Sequence, residues 1–329
     1  MDSILVVIPV YNVAKYLKRC VDSIISQDFE NYQILLIDDG STDESGVVCD
    51  EYEMKCSKIK VVHQTNQGQA SARNVGIDYA IANDDIEWIA FVDSDDLVHP
   101  QYLSALYNSV KKTHSKISMC GFCRFTQEFQ YVKFDESIEY SMVDTETLYS
   151  TRNTNSVVPW GKIINKACFK DICFPEGKIC EDEFTMYQLL FKYDFLPFID
   201  APLYGYFTNP DSTMNKKWDP RRLNAFEAFE NQLSFFQEHG FKKAYEKVLD
   251  SIAYTCSIHI KEIDNDYENR HYKCLLRKKL RKHLKTHKKQ VGFSIKKNPM
   301  YYECAYPTLM KYYWIITSQL NKLKRKKNV

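Results

Sequence analysis

The sequence predicts an α/β protein built on a twisted, mostly parallel sheet, and three observations carry this. Short apolar runs rich in β-branched residues recur at 4–8, 33–37, 60–63 and 86–92. Segments of helical apolar period separate them, as in βαβ units. Polar clusters follow the runs, at Tyr11–Asn12, Asp38–Asp39, Asn66 and Asp93–Asp96. Open α/β sheets bind ligands at those carboxyl ends.

Each element has its own signal. ILVVI (4–8), closed by Pro9, reads as a buried parallel strand. A helix follows PVYN, with Leu17, Cys20, Val21, Ile24 and Ile25 on one face. QILLI (33–37) is a second strand, stopped by DDGSTDES. There Ser41 and Glu44 have capping-box spacing, which places a helix start at about Thr42. KVVH (60–63) is a third strand. Residues 69–82 suit a helix with Ala72, Val75, Gly76, Tyr79 and Ala80 on one side. IEWIAFV (86–92) is a fourth strand, Pro100 opens a helix at its first turn, and KISMCGF (116–122) is a fifth strand. From 124 to 215 the alternation is less regular. Beyond about 220 the pattern is mainly helical, with RLNAFEAFENQLSFFQEHG closed by Gly240 as a C-cap. The expected division is 1–215, carrying the sheet, and 216–329, helical and basic, with the boundary near PDSTMNKKWDP.

Composition narrows the class. The 329 residues are 44% hydrophobic and 14% aromatic, which fits a folded chain with a sizeable core. Eleven cysteines lack regular spacing and no signal peptide is apparent, so reduced thiols in a cytosol are expected. Cys120 and Cys123 form a lone C-x-x-C, read as two small side chains on a strand. No run reaches the ~18 apolar residues of a spanning helix. The net charge of +1 hides an asymmetry: from Arg270 onward 18 Lys and Arg face one acidic residue, Glu303. A basic tail follows an acidic body. Neither G-x-G-x-x-G nor a P-loop motif occurs, which argues against those two nucleotide-binding modes.

The chemistry concentrates in FVDSDDLVHP (91–100). At an extended strand end Asp93 and Asp95 point to the same side, with Ser94 between them. Two carboxylates without a neighbouring Lys or Arg suit a hard divalent cation, Mn²⁺ or Mg²⁺, which keeps positions for phosphate oxygens. The alternative is an acidic loop in which Asp95 or Asp96 caps the following helix. NQGQASARN (66–74) carries one cation, Arg73, suited to a diphosphate or an acidic cluster, or else to plain solvent. Asp38 and Asp39 precede Gly40 and could accept from a nucleobase N–H, or compensate a helix dipole. EDEF (181–184) opens a helix, where a carboxylate could act as a general base or again compensate the dipole.

Taken together these pieces resemble the family 2 glycosyltransferases of GT-A fold. The resemblance covers about residues 3–215, through VVIPVYNVAKYLKRCVDSIISQ, ILLIDDGSTDES, NQGQASARNVGIDYA, FVDSDDLVHP, WGKIINK and EDEF, in order. It implies a Rossmann-like sheet and a nucleotide-diphosphate sugar donor, usually a UDP-sugar. On that resemblance Pro9 and Tyr11 line the nucleotide pocket, Asp39 contacts uracil and Asp38 supports it. Asn66 and Arg73 lie beside the uridine and diphosphate. Asp93 and Asp95 hold the metal as a D-x-D pair, with Ser94 at the donor and Asp96 adjacent to the donor sugar or the acceptor. Asp182 is the catalytic base, with Glu181 beside it. The implied reaction is one inverting displacement. One departure stands out: YGYFTNPDSTM keeps Tyr204, Tyr206, Ser212 and Thr213, but has Phe207 and Thr208 where such enzymes often carry arginine.

The basic tail interleaves cations with aromatics and aliphatics, as in RHYKCLLRKKLRKHLKTHKK and LMKYYWII. The expectation is peripheral contact with an anionic membrane at its cytoplasmic face, not nucleic-acid binding; the alternative is a solvated helical face or a disordered end, and homo-oligomers are left open. The full expectation is a metal-dependent transferase moving one sugar to a glycan or lipid-linked acceptor in surface-polysaccharide or capsule synthesis. The rivals are a sugar-nucleotide nucleotidyltransferase, which would need a Gly-rich basic N-terminal loop, and a non-catalytic sugar-nucleotide binder.

Overall fold

The computed structural model describes residues 3–126, 138–151, 156–208, 217–263 and 268–327, with side chains through 318. It divides into two compact units, Met1–Lys216 and Lys217–Val329.

The first unit carries strands β1 (Ser3–Val10), β2 (Tyr32–Asp38), β3 (Ile59–His63), β4 (Ile86–Phe91), β5 (Leu97–Val98), β6 (Ile117–Phe125), β7 (Ser141–Asp144), β8 (Lys162–Asn165) and β9 (Phe195–Phe207). They form one sheet ordered β3-β2-β1-β4-β8-β6-β9-β5, with β7 also on β9. β3, β2, β1 and β4 are mutually parallel. β8 runs antiparallel between β4 and β6, and β6 pairs in parallel with β9. The intervening helices are α1 (Ala14–Ile25), α2 (Ser45–Lys55), α3 (Gln69–Ala82), α4 (Tyr102–Thr113), α5 (Thr145–Ser150) and α6 (Glu181–Leu190).

The apolar strand runs follow from burial on both faces. Ile4, Val6 and Ile8 pack with Leu17, Cys20 and Val21 of α1 and with Leu103 and Leu106 of α4. Leu5 and Val7 turn the other way, toward Ala72, Ile77 and Ala80 of α3 and Met186 and Leu189 of α6. Gly76 marks the tightest approach, since a Cβ there would lie 2.4 Å from Val7 Cγ1. Gly76→Val should therefore destabilise the protein by about 1–3 kcal/mol through overpacking, read as a lower urea midpoint.

Several local expectations change. β1 continues through Pro9 to Val10, because the missing N–H costs nothing there. Odd residues of β1 face β4, where Val92 donates to the Val7 carbonyl, and even residues face β2, where Asp39 donates to Val10. Pairing with β4 stops at Val7–Phe91, so no ladder bond requires a donor from residue 9. α2 begins at Ser45, not Thr42, and Ser41 makes no capping box. Instead the Ser41 hydroxyl accepts from the Asn12 N–H, and the Asn12 side-chain oxygen Oδ1 accepts from the N–H groups of Thr42 and Asp43. α4 begins at Tyr102 with Gln101 as N-cap, so Pro100 precedes the helix and neither Asp95 nor Asp96 caps it. Ile25 is exposed, and on α3 the buried face holds Arg73 and Ile77, while Val75 and Tyr79 are half-buried. Cys120 is buried in the core and Cys123 is half-buried beside Phe125 and Phe207, neither of them in a disulfide.

The second unit contains α7 (Asn224–Glu238), α8 (Lys242–Glu262), α9 (Arg270–Val291), α10 (Pro299–Ala305) and α11 (Pro307–Lys327). α7 ends as expected: Gly240 is left-handed at φ +77, and the Phe241 N–H returns to the Phe236 carbonyl at 2.9 Å. Its core includes Phe229, Phe236, Val248, Cys256, Leu280 and Phe293. The paired hydroxyls Ser212 and Thr213, most of the expected boundary stretch, and the terminal cations of KLKRKKNV lie outside the described residues or side chains.

Candidate active site

The carboxyl ends of β1 to β4 gather the polar clusters at one rim, and short-range hydrogen bonds lace them together. The Asp38 Oδ1 accepts from the Ser41 N–H at 3.0 Å, and its Oδ2 lies 2.9 Å from His63 Nδ1. His63 Nε2 lies 2.9 Å from Asp50 Oδ1. Burial pushes the Asp38 carboxyl up, but the bonds from Ser41 and His63 outweigh it and hold it below the ordinary carboxylate range. The same contacts, with Asp38 first and Asp50 second, raise His63. No reading of the sequence singled out His63. Its signal was a lone imidazole at the end of β3, level with Asp38 in the β2–β3 register.

Asp39 is buried, and its carboxylate spans the neighbouring loop. Oδ1 accepts from the Gln64 side chain at 2.7 Å and the Gln67 N–H at 2.8 Å, and Oδ2 accepts from the Gly68 N–H at 2.8 Å. Gly40 makes this closeness available: it sits at φ +69, and a Cβ would fall 2.7 Å from the Asn66 backbone nitrogen. Asn66 is exposed beside it, and Tyr11 is 48% exposed at the end of β1, whereas Pro9 is buried within the strand.

Asp93 to Asp96 form a tight turn, the Asp96 N–H donating to the Asp93 carbonyl at 3.0 Å, so strand alternation does not set their directions. Tyr204 fixes this turn. Its hydroxyl accepts from the Asp93 N–H at 3.1 Å and donates to Asp96 Oδ2 at 2.7 Å. The Phe207 N–H donates to Asp96 Oδ1 at 2.7 Å. Both Asp96 oxygens are thus engaged by β9, at 1% exposure. Burial first, then Asp93 and Asp95, push the Asp96 carboxyl well up. Ser94 is buried in the same turn. Trp160 stacks on Tyr204, with centroids 4.5 Å apart and planes 9° apart.

The expectation that no cation lies near this turn is overturned. Arg19 Nη2 donates to the Asp95 carbonyl at 2.9 Å. Arg73, only 2% exposed, donates from Nη2 to Asp93 Oδ1 at 3.0 Å and from Nη1 to Glu181 Oε1. Gln69 adds a bond to the same Asp93 oxygen at 3.1 Å. One guanidinium therefore joins the two acidic clusters, which lie far apart in the chain. Burial opposes the charge of Arg73, but Glu181, Asp93 and Asp182 outweigh burial and raise its pKa. Burial raises the Asp93 carboxyl; Arg73 counters and Asp95 adds to the rise.

Glu181 and Asp182 open α6, preceded by the left-handed Cys180 at φ +61. Asp182 is half-buried, and its Oδ1 accepts from the Glu183 N–H at 2.9 Å. Burial first, then Glu181 and Glu183, push its carboxyl up to about 8, against the pull of Arg73. A second unassigned residue, Lys162, is fully buried and donates to the carbonyls of Val158 and Trp160 at 2.7 and 3.1 Å. Burial pushes it down to about 7, opposed by Cys120 and Asp182. Its signal was a charged residue inside the apolar run of WGKIINK.

The donor set tests the fit of a divalent cation. Asp96 is consumed by Tyr204 and Phe207, and Asp93 Oδ1 by Arg73 and Gln69, while Asp93 and Asp95 are close enough for the Asp95 charge to raise the Asp93 carboxyl. Among the described residues no cluster of three or more His, Cys, Asp and Glu could hold a metal by itself. Two carboxylates that leave positions open for phosphate oxygens fit Mn²⁺ or Mg²⁺.

Comparison with known proteins identifies the family and the fold. The family model described as Glycosyl transferase family 2 matches residues 5–171. GlyG, a glycosyltransferase of Streptococcus pneumoniae, is 31% identical over 229 residues, 66% of this chain and 75% of GlyG. GlyA of the same organism is 29% identical over 251 residues, 73% of this chain, which spans only 35% of GlyA's length. Among solved structures, S. aureus TarS 1–349 in complex with UDP-GlcNAc aligns at TM-score 0.56 and 21% identity, covering 92% of this chain and 79% of that one; this is a likeness of fold. With half the chain inside the family model and the GT-A sheet in place, the chain belongs to glycosyl transferase family 2.

Proposed function

We propose that this glycosyltransferase transfers a single sugar, with inversion, from a nucleotide-diphosphate sugar to a hydroxyl of a glycan or lipid-linked acceptor. The observation that carries the reading is Arg73, which draws the Asp93–Asp96 turn and the Glu181–Asp182 pair onto one buried guanidinium. An activated sugar needs both a place for its diphosphate and a base for the incoming hydroxyl, and Arg73 tethers the two together.

On this reading Tyr11 offers an exposed ring to the nucleobase, and Asn66 lies beside it. Asp39 fixes the loop that forms the pocket wall, Asp38 fixes the neighbouring one, and Pro9 backs the site from within β1. Asp93 and Asp95 would hold Mn²⁺ or Mg²⁺, which when bound offsets negative charge on the departing diphosphate. Ser94 and Asp96 shape that turn. Asp182 takes the acceptor proton in the transition state, a contribution of roughly 10²–10⁴-fold. Its carboxyl, held up to about 8, is a stronger base than an ordinary aspartate once ionised. UDP-sugar is the expected donor, since TarS was solved with UDP-GlcNAc. The expected setting is surface-polysaccharide assembly, with the enzyme peripheral to the membrane's inner face.

A screen of UDP-sugars for acceptor-free hydrolysis in the presence of Mn²⁺ tests this. Slow release of UDP from one or a few donors is expected. Release of diphosphate from UTP and a sugar phosphate, with no donor hydrolysis, would support a nucleotidyltransferase instead.

A further inference from the structure

We infer that α11 lies in the plane of an anionic lipid surface and that the outer face of α9 holds it there electrostatically. The sequence shows cations interleaved with apolar residues; the structure sorts them onto separate faces. On α9 the leucines Leu276, Leu280 and Leu284 turn inward and are buried. Lys278, Arg281, Lys282, Lys285, Lys288 and Lys289 are exposed on the opposite side. At 3.6 residues per turn they fall on one face. No acidic side chain pairs with any of them among the described residues.

α11 has the reverse pattern. Met310 is buried, while Leu309, Tyr312, Ile315 and Ile316 are 47–61% exposed. Their spacing of i, i+3, i+6 and i+7 forms one apolar stripe, and Trp314 lies on the other side of the helix, where its Nε1 donates to Glu303 Oε1 at 2.9 Å. A helix that leaves such a stripe to water, followed in sequence by the cations of KLKRKK, fits the interface between headgroups and acyl chains. No helix among the described residues is long and apolar enough to cross a membrane, so lying on the surface is the mode that fits. The two features adjoin. Arg281 Nε donates to the Ala305 carbonyl at 2.6 Å, and its guanidinium sits 5.4 Å from the Tyr306 ring, the residue before α11. Charge selects the occupant: a second copy docking through this same surface would set like charge against like charge, whereas an anionic bilayer neutralises it.

The inference deepens the proposed function only in giving a lipid-linked acceptor a reason to be near, and lipid binding can fail while donor hydrolysis survives. The full chain is mixed with vesicles of phosphatidylcholine alone or with phosphatidylglycerol, without donor, and co-sedimentation is followed. Binding is expected only to the mixed vesicles, with a loss at high salt. Y312E/I316E should abolish the binding, and K282Q/K285Q/K289Q should weaken it on the order of a hundredfold, both with donor hydrolysis unchanged. Absence of binding by the wild type would overturn the inference. So would binding that Y312E/I316E leaves intact, or a wild-type dimer in light scattering that the same variant dissociates. Tighter binding to a polynucleotide than to the mixed vesicles would equally overturn it.

Discussion

Asp182→Asn should lower transfer by roughly 10²–10⁴-fold and raise thermal stability at the same time. The two effects share one cause. Burial, Glu181 and Glu183 hold the Asp182 carboxyl up to about 8. An ordinary aspartate ionises near 4, so between about 4 and 8 the folded protein keeps a proton that the unfolded chain releases. Stability therefore falls as pH rises through that window. Asn removes the ionisation, so the melting temperature of the variant should exceed the wild type increasingly from pH 4 and by a constant margin above 8. In the wild type kcat/KM should rise tenfold per pH unit toward about 8 as the base ionises. Burial comes first, Glu181 and Glu183 are the charged neighbours that raise this value, and Arg73 lowers it. Calorimetric melting at several pH values, beside initial rates, checks both. An Asn variant that is inactive but no more stable at pH 8 would remove the burial argument.

Arg73→Met should destabilise the protein by about 3–5 kcal/mol, more than any surface ion pair would. It leaves Asp93 and Glu181 facing each other in a buried site without a shared cation. Arg73→Lys should recover only part of this, because one ammonium cannot reproduce two directed guanidinium bonds. Adding Glu181→Met to Arg73→Met should restore much of the stability but none of the activity. Urea unfolding of the single and double variants measures the coupling, and additive effects would show that the two clusters do not depend on the shared guanidinium.

The sheet was legible in the sequence because its parallel strands are apolar on both faces and so appear as unbroken runs. The family pattern likewise named residues that the structure gathers at one rim. What the sequence could not express was side-chain direction. Asp93 and Asp95 approach through a turn held by Tyr204, from a strand more than a hundred residues later, so strand alternation was the wrong rule. Arg73 looked like a surface arginine, because nothing local to 66–74 reveals that Glu181 and Asp93 meet on it. The start of α2 shifted because Asn12, distant in sequence, took the N–H groups that a capping serine would have served. Pro9 ended the run of ILVVI but not β1, since the ladder on that side had already stopped. His63 and Lys162 stayed silent for the same reason: each acquires its meaning from a carboxylate or carbonyl brought by another element.

The central claim is that Asp93 and Asp95 bind a divalent cation together with the diphosphate of an activated sugar. Titration calorimetry of UDP into the full chain, with and without Mn²⁺, tests it most directly. Mn²⁺ should tighten UDP binding by at least about tenfold in the wild type, a coupling of about 1.4 kcal/mol, and by nothing in D93N/D95N. Equal UDP affinity with and without Mn²⁺, in the wild type and the variant alike, would contradict it.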